Sequence, residues 1–400
     1  MSQAPTPQAA PIADIAWFDA TRAAEFQTWL SQTAPSHNLQ LSSLRLASAD
    51  ASFRRYFRID SYLSNKDVGQ RPISFIIMDA PPDKENCQPF VKVAGLMQAA
   101  GLHAPQVLAW EEAQGFMLLT DLGAQTMMQA INRADPQGNL PLYLQAVDAL
   151  IAWQLSSKPD VLPPYDDALL RRELELFPQW YITRHKGVAI DQTMRFTLDN
   201  TFKQIIATVL TQPSVFVHRD FMPRNLMAPT IATACAALPP GGAVSPWGGP
   251  AAKPLTMSGN AHAPVLGVLD FQDAVYGPIT YDIASLMRDA FLSWEEDFCL
   301  EVTVRYWERA RKAGLPVDAD FGEFYRGVEW MGLQRHLKVA GIFARLTLRD
   351  GKPQYLADTP RFIAYIRSTC ARYRELKPLL RLVDKLEGFV EPDIFGFGRQ

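Results

Sequence analysis

The sequence predicts an α+β fold of two lobes, an antiparallel-sheet N-lobe followed by a mostly helical C-lobe. Short runs of aromatic and aliphatic residues, separated by polar or proline-containing breaks, fill the first third of the chain and are typical of antiparallel strands. Beyond residue 120, apolar side chains recur every three to four positions, which indicates amphipathic helices. A chain of 400 residues is long enough for two lobes, each with its own hydrophobic core.

The N-lobe is predicted over residues 16–119, after a mobile tail, 1–15, that is rich in Ala, Pro, Gln and Thr. A short helical pattern spans 18–30, and a second one at 89–100 ends before Gly101. The predicted strands of this lobe are 39–46, 53–59, 73–78, 107–110 and 116–119.

The C-lobe is predicted over residues 124–400. Its predicted helices are 143–155, 168–182, 196–210, 282–292, 297–312 and 323–346. Residues 228–264 interrupt this lobe with 37 residues that include ten Ala, seven Pro, five Gly and a single charge, Lys253. Such a segment buries too little apolar surface to offset the entropy of ordering it, so we predict a flexible surface insert.

Charge and composition exclude several kinds of partner. Lys and Arg total 39 against 42 Asp and Glu, a net charge of -3, so the basic excess of proteins that bind nucleic acids or anionic membranes is missing. No apolar run approaches the roughly 18 residues that a membrane-spanning helix needs. The four cysteines lack metal-binding or disulfide spacing, and we expect reduced thiols in a cytoplasmic protein.

The strongest chemical signal is VFVHRDFMPRNLM at 215–227, followed by VLGVLDFQDA at 265–274. Phosphoryl transfer needs a carboxylate that orients the incoming hydroxyl and accepts its proton, plus oxygen ligands that hold magnesium on the phosphates. Asp220, Asn225 and Asp270 fit these roles by their kinase-like spacing. The 50 residues between the two aspartates shrink to 13 without the 37-residue insert, which predicts a tight hairpin between the strands ending in HRD and DF.

The residues around this motif have alternative interpretations. HRD alone is a weak signal because three-residue matches are common, and the correctly spaced asparagine makes it specific. His218 is expected to form structural hydrogen bonds beneath the loop rather than to act in catalysis. Asp282, in YDIASL, is either an ordinary acid at a helix N-terminus or a support for the catalytic loop.

At these residues the chain resembles the aminoglycoside phosphotransferase-like branch of the protein-kinase-like fold. The likeness covers nearly the whole chain and includes HRDFMPRN, LDFQDA, YDIASL and a linker between the lobes, TDLG at 120–123. Within that branch the chain is most similar to bacterial anomeric kinases of N-acetylmuramate and N-acetylglucosamine, which act in cell-wall recycling. The strings that indicate this are ASFRRYFRI at 51–59, MDAPPDKE at 78–85, LDFQDAVYGPITYD at 269–282 and LKVAGIFARLTLRDGK at 337–352.

The resemblance implies that ATP and Mg2+ are cofactors and that the nucleotide binds in a cleft between the lobes. Adenine would bind the backbone of the linker, and a loop between the first two strands would cover the phosphates. The implied nucleotide-binding residues are Ser52, Phe53, Arg54, Leu119, Thr120 and Asp121.

The chain departs from the kinase pattern at two points. The phosphate loop, SADASFRR, contains no glycine. The third strand, SFIIMDAPP, has Met78 or Asp79 where kinases usually carry a lysine that pairs with a glutamate on the next helix. We hypothesise that Arg54, Lys84 or Lys92 supplies the missing positive charge.

The acceptor is predicted to be a small molecule rather than a polypeptide, since only eleven residues separate Asp270 from Asp282 and the DFG glycine is missing. Aromatic faces suit sugar rings, and an arginine suits the lactyl carboxylate of N-acetylmuramate. The alternative is that the aromatic residues of 165–187 are core and its charges are solvated. The candidate substrate residues are Glu173, Arg172, Trp180, Asp273 and Arg335.

Three functions remain open from the sequence. The first is a sugar 1-kinase that phosphorylates the C1 hydroxyl of amino sugars. The second is a kinase of another small hydroxylated metabolite or of an aminoglycoside, which would keep the catalytic residues and change the pocket. The third is a non-catalytic nucleotide-binding scaffold, which the missing lysine suggests and the motif residues argue against. The sequence predicts no oligomeric state.

Overall fold

The computed structural model describes residues 15–17, 19–49, 53–63, 71–231 and 264–389. Most of the predicted tail, Ser52 and residues 232–263 of the predicted insert lie outside these ranges. The chain divides into two compact units, each described separately. The first is Met1–Gln125 with Met227–Asp273, and the second is Thr126–Leu226 with Ala274–Gln400. The predicted domain boundaries, which are continuous along the chain, stay a prediction.

The first unit is built on a sheet that has five strands among the described residues, in the order β1-β2-β3-β5-β4. Neighbouring strands are antiparallel throughout, as predicted. The strands are β1 Leu39–Ala49, β2 Arg55–Leu63, β3 Arg71–Asp79, β4 Val107–Glu111 and β5 Phe116–Thr120. Two helices accompany them, α1 Ala20–His37 and α2 Gln88–Ala99. All five predicted strands are therefore confirmed.

One face of this sheet packs against α1. Alternate residues of a strand point to the same face, and the buried cluster takes such pairs from three strands together with one residue of β1 and four residues of the helix. The members are Phe57, Ile59, Phe75, Ile77, Phe116, Leu118, Leu39, Phe26, Trp29, Leu30 and Ala34. The helix begins after Asp19, whose carboxylate accepts the amide N–H of Thr21 at 2.8 Å.

Two short two-stranded sheets replace the predicted hairpin. They pair β6, Ser214–Val217, with β9, Val275–Pro278, and β7, Leu226–Ile231, with β8, Pro264–Val268. The predicted pairing of 215–217 with 265–269 is thus wrong, because the unpredicted β7 is the partner of β8 and β9 is the partner of β6. The two strands β7 and β8 also extend into both ends of the predicted insert.

The second unit is mostly helical. Its helices are α3 Met127–Ala130, α4 Leu140–Leu155, α5 Asp167–Leu174, α6 Gln192–Leu210, α7 Tyr281–Met287, α8 Glu296–Lys312, α9 Phe321–Leu348, α10 Thr359–Arg372 and α11 Lys377–Glu387. The sequence did not predict α10 and α11. The single helix predicted over 168–182 is instead α5 followed by a π-helix, Phe177–His185. Pro178, which has no amide N–H to donate, stands at this change of helix type.

The long helix α9 runs through the core of the second unit, and most of its residues from Phe324 to Ala344 are buried. It approaches the segment before the π-helix so closely that a Cβ atom on Gly341 would lie 2.4 Å from the carbonyl carbon of Leu176. Glycine is therefore required at this crossing. No helix in the described part of the chain is long and apolar enough to cross a membrane.

Candidate active site

The HRD loop follows β6 directly and ends in a single 3-10 turn, Pro223–Asn225. Arg219 has a φ of 76°, a left-handed conformation that is rare for a residue with a side chain and is kept only where surrounding contacts enforce it. The amide N–H of Asp220 donates to Nδ1 of His218 at 3.2 Å. Asn225 Nδ2 donates to the carbonyl oxygen of Asp220 at 3.0 Å, so the two motif residues are joined within one loop.

Asp282, at the start of α7, contacts this loop through its carboxylate. The side chain is fully buried and accepts the backbone N–H of His218 at 2.7 Å and that of Arg219 at 3.0 Å. Burial raises the pKa of Asp282 to about 6, although the charge of His218 and the two N–H donors act in the opposite direction. Asp282 therefore joins the start of α7 to the backbone that precedes Asp220.

Glu173, on α5, is the centre of a buried charged cluster. Arg219 Nη2 lies 2.5 Å from its carboxylate and Lys338 Nζ lies 2.9 Å from it. Gln334 Nε2 donates at 3.1 Å, and the hydroxyl of Tyr165 donates as well. Burial alone would raise the pKa of Glu173, but the charges of Lys338 and Arg219 lower it to about 2. Glu173 is consequently ionised and fully engaged inside the protein.

Arg335, on α9, completes the contacts around Arg219. Its Nη1 donates to the carbonyl oxygen of Arg219 at 2.6 Å, and its guanidinium lies 4.8 Å from the ring centre of Tyr281. Arg219 is therefore held by Asp282 at its amide, by Arg335 at its carbonyl and by Glu173 at its side chain. Glu173 and Arg335 were predicted as substrate residues; the contacts seen are with the catalytic loop, and a direct role in substrate binding stays a prediction.

The other two candidates near α5 lie at its surface and on the π-helix. Arg172 is exposed, and Trp180 is partly buried with the guanidinium of Arg184 4.7 Å from its ring centre. Phe177 and Tyr181, by contrast, are buried and stacked at 5.2 Å. The aromatic residues of this segment are thus divided between core and surface.

In the first unit, the residues predicted for the linker are part of the sheet or its anchors. Leu119 and Thr120 are buried at the end of β5, and Thr120 Oγ1 accepts the amide N–H of Gln106 at 2.9 Å. Asp121 accepts two hydrogen bonds from Arg58, at 2.5 and 3.0 Å, and a third from Ser74 at 2.6 Å. Nucleotide binding by these residues stays a prediction, and the side chain of Asp121 holds the linker to β2 and β3.

The phosphate-loop residues lie next to an acid that follows β3. Phe53 is exposed, and its amide N–H donates to Glu85 at 3.2 Å. Arg54 is buried and forms an ion pair with the same carboxylate at 3.0 Å. Lys84, in contrast, is half exposed and pairs with the exposed Asp83. Arg54 is therefore a buried cation that is paired with a partly buried carboxylate.

The third strand carries an acid where kinases carry a lysine, and two arginines neutralise it. Asp79 is 1% exposed, and its two oxygens each lie 2.6 Å from a guanidinium nitrogen, one of Arg22 on α1 and one of Arg55 on β2. Arg55 also lies over the ring of Trp17 at 3.9 Å. Sequence inspection missed this cluster because its members are far apart along the chain.

Asp270 follows β8 with a φ of 63°, again in the left-handed region. Its Oδ1 accepts a hydrogen bond from Gln272 Nε2 at 2.7 Å. The next residue, Phe271, is buried with its ring centre 4.9 Å from that of Phe90 on α2. Asp273, the remaining substrate candidate, is exposed. The DF pair therefore consists of a constrained carboxylate and an aromatic anchor.

The donor atoms of these residues suit magnesium. Asn225 and Asp270 offer carboxamide and carboxylate oxygens, the ligands that this hard cation prefers. Within the described ranges, no group of three or more His, Cys, Asp or Glu side chains could hold a metal ion. Magnesium typically takes one or two protein ligands and completes its shell with phosphate oxygens and water, so the side-chain oxygen of either residue is chemically suited to it.

The sequence matches a known protein family over more than half of its length. The profile of the phosphotransferase enzyme family matches residues 43–232 and 257–319. The chain belongs to this family. It is an enzyme that transfers a phosphoryl group to a hydroxyl acceptor, and the predicted enzyme class is confirmed.

Three curated relatives of this phosphotransferase carry the name N-acetylmuramate/N-acetylglucosamine kinase. The protein of Pseudomonas putida is 45% identical over 86% of this chain and 88% of its own length. That of Pseudomonas aeruginosa is 44% identical over 85% and 87%. That of Neisseria meningitidis is 41% identical over 92% and 96%.

Solved kinase structures share the fold of this phosphotransferase at low sequence identity. An ethanolamine kinase of Plasmodium vivax has a TM-score of 0.54 at 10% identity, covering 91% of this chain and 90% of its own. A choline kinase of Cryptosporidium parvum has a TM-score of 0.51 at 10% identity, covering 89% and 99%. The predicted α+β, protein-kinase-like fold is confirmed.

Proposed function

We propose that this phosphotransferase uses ATP and magnesium to phosphorylate the anomeric C1 hydroxyl of N-acetylmuramate and N-acetylglucosamine, in the recycling of cell-wall sugars. The observation that carries the proposal is the HRD loop, in which Asp220 and Asn225 are hydrogen-bonded and the backbone just before Asp220 is tethered to α7 and α9. The sugar class is supported by relatives of that name at 41% to 45% identity over most of the chain.

In this reaction Asp220 orients the C1 hydroxyl and accepts its proton. The sugar oxygen forms a bond to the γ-phosphorus as the bond between that phosphorus and the β–γ bridging oxygen breaks, and ADP leaves. An anomeric hydroxyl is more acidic than an ordinary alcohol, so a carboxylate is an adequate proton acceptor. The contacts that hold Arg219 fix the position of the neighbouring Asp220, and catalysis depends on holding the reacting groups in alignment.

Asn225 and Asp270 are the residues that would hold magnesium. When bound, the ion offsets negative charge on the phosphates during transfer. Arg54, paired with Glu85, takes the place of the missing lysine–glutamate pair in this proposal, because it is a buried cation beside the predicted phosphate loop. Among the described residues, the cysteines Cys87, Cys299 and Cys370 are buried and free, which supports a cytoplasmic location where ATP is available.

The test is phosphoryl transfer from ATP to N-acetylmuramate, N-acetylglucosamine, glucose and kanamycin, with the product identified by phosphorus NMR. We expect an anomeric phosphate on both N-acetylated sugars and none without magnesium. Asp148→Asn is the matched control for substitution of a motif aspartate, since Asp148 is a half-exposed residue of α4 paired with Arg309. Phosphorylation of kanamycin, or of a sugar hydroxyl other than C1, would overturn the proposal.

A further inference from the structure

Asp289 is a buried carboxylate just beyond α7 that the catalytic loop does not use. The residue is 2% exposed. Its Oδ1 accepts the amide N–H of Phe291 at 3.2 Å, whereas its Oδ2 is buried and has no hydrogen-bond partner among the described residues. A buried carboxylate oxygen without a donor is costly and rare, so it calls for a donor from outside the protein.

Two further polar atoms with the same property lie on α9 and α10. His336 bonds through Nε2 to the carbonyl oxygen of Arg288 at 3.1 Å, next to Asp289 along the chain, and its buried Nδ1 has no partner in the described part of the chain. Because that carbonyl can only accept, Nε2 carries the proton and Nδ1 presents a lone pair. Arg361, on α10, contacts Asp358 at 3.6 Å through Nη2, and its buried Nη1 has no partner within the same ranges.

The segment around Asp289 is connected to the catalytic loop at two points. The guanidinium of Arg224, one residue before Asn225, lies 4.4 Å from the ring centre of Phe291, whose amide binds Asp289. Arg335, which bonds to the carbonyl oxygen of Arg219, precedes His336 on α9.

The charges around Asp289 agree with the connection of its segment to the catalytic loop. Burial raises the pKa of Asp289 to about 7, whereas the backbone N–H groups of Phe291 and Ala290 and the charges of Arg335 and Arg361 act in the opposite direction. Burial alone would lower the pKa of Arg335, but its interactions with Tyr281, Asp220 and Asp282 raise it. Arg335 therefore interacts electrostatically with both Asp220 and Asp289.

We propose that Asp289 and Arg361 form the acceptor subsite for the amino sugar. Asp289 Oδ2 accepts a hydroxyl or amide N–H that N-acetylmuramate and N-acetylglucosamine share. Arg361 Nη1 donates to the lactyl carboxylate, which only N-acetylmuramate carries. This inference rests on the proposed function and names residues that determine its specificity.

The experiment compares wild type with Asp289→Asn and Arg361→Gln. For each, the Kd of both sugars is measured by calorimetry, the KM of ATP by steady-state kinetics, and Tm by thermal unfolding. For Asp289→Asn we expect the Kd of both sugars to rise by about 10- to 100-fold, with the KM of ATP unchanged. Its Tm without sugar should equal or exceed that of wild type, because the substitution removes an unsatisfied buried charge.

Arg361→Gln separates the two sugars. We expect the Kd of N-acetylmuramate to rise at least tenfold and that of N-acetylglucosamine to stay within about threefold, since only the first sugar has a carboxylate to lose. Asp148→Asn, the matched control, should leave both Kd values unchanged. Should Asp289→Asn fail to fold, the Kd values of Arg361→Gln for the two sugars decide the proposal.

Wild-type affinity of Asp289→Asn for both sugars would overturn the subsite, as would a lower Tm with an unchanged Kd, which is the signature of a merely structural residue. Equal losses for the two sugars in Arg361→Gln would overturn the role of Arg361. These outcomes differ from failure of the proposed function, in which wild type itself phosphorylates neither amino sugar.

Discussion

Glu173 and Asp289 are two buried carboxylates of the same helical unit with opposite surroundings. Glu173 is bound by Tyr165, Arg219, Gln334 and Lys338, whereas Asp289 has one oxygen bound to a backbone amide and one that meets no partner in the part of the chain that the structure describes. Both are about equally buried. Burial alone therefore does not distinguish a positioning residue from a binding residue. The two are distinguished by whether their polar atoms have hydrogen-bond partners within the protein.

The same contrast extends to protonation. The cations around Glu173 outweigh its burial and bring its pKa to about 2, while burial dominates at Asp289 and brings its pKa to about 7. Glu173 therefore stabilises the fold as an ion, and Asp289 costs stability as an ion until something binds it. Substitutions around the two carboxylates test this difference.

The largest effect is expected at Asp220, which follows Arg219, the residue that Glu173 holds in place. Asp220→Asn removes the proton acceptor and should lower kcat by about 10²- to 10⁴-fold. The circular dichroism spectrum and Tm should stay near those of wild type, because Asp220 is only partly buried. Turnover within threefold of wild type would show that the loop is not the catalytic centre.

Breaking the Glu173 cluster should cost both stability and activity. Glu173→Gln leaves Arg219 and Lys338 buried without their counter-charge, and we expect the free energy of unfolding to fall by about 3 kcal/mol, together with kcat. The measurement is urea unfolding at pH 7. The matched control is Glu175→Gln, which breaks a largely exposed pair with Arg195 and should cost less than about 1 kcal/mol. Equal losses in both variants would contradict a special role of the buried cluster.

The pH dependence of stability should have opposite signs at the two carboxylates. The pKa of Asp289 is higher in the folded state, so its contribution is fully present below pH 3.8 and is lost as the pH rises towards 7. Asp289→Asn should therefore gain about 2–3 kcal/mol over wild type between pH 5 and pH 8. The contribution of Glu173 is present above pH 4.5 and is lost as the pH falls towards 2.

Urea unfolding of wild type, Asp289→Asn and Glu173→Gln at pH 5 and pH 8 checks the sign of the pH dependence at Asp289. The sign at Glu173 is checked by measuring the free energy of unfolding of wild type and Glu173→Gln from pH 5 downwards. A difference between Asp289→Asn and wild type that is the same at pH 5 and pH 8 would mean that Asp289 does not titrate in this range. The raised pKa of Asp282 affects all three proteins alike and cancels in the comparison.

A smaller effect is expected in the first unit, where Arg54 is proposed to replace the missing lysine. Arg54→Ala should raise the KM of ATP about tenfold, because the substitution removes about one charge-assisted hydrogen bond. Lys84→Ala, adjacent to Glu85 but half exposed, should stay within about twofold. A larger effect for Lys84 than for Arg54 in steady-state kinetics would reverse the assignment.

The smallest effect is expected at the insert. Replacing residues 233–262 by a short turn between β7 and β8 should leave kcat and both KM values within about twofold, since these strands already pair with each other. A large loss of kcat with an unchanged Tm would assign the insert a part in the reaction.

Local features of this protein could be predicted from its sequence. The five strands of the first sheet could be predicted because short runs of aromatic and aliphatic residues between polar breaks are a property of consecutive positions. Asp220 and Asn225 were found because both lie on one loop, at a spacing that the chemistry dictates. The interrupted helix at Phe177–His185 was missed because its apolar spacing continues that of α5.

Long-range features could not be predicted. The partner of β6 is β9 rather than the strand expected, and this depends on competition between strands far apart along the chain. The arginines that neutralise Asp79 are 57 and 24 residues away. The partner of Arg54 is Glu85, in the loop before α2 and 31 residues away along the chain.

The sequence by itself determined the fold class, the reaction type and the loop that carries the chemistry, because periodicity and motif spacing are written in neighbouring residues. Only the tertiary structure decided that Glu173 and Arg335 hold Arg219 and that Asp289 retains an unsatisfied oxygen. Whether a buried polar atom is satisfied depends on which distant side chains surround it. That is a property of the packed helices and not of any stretch of the chain.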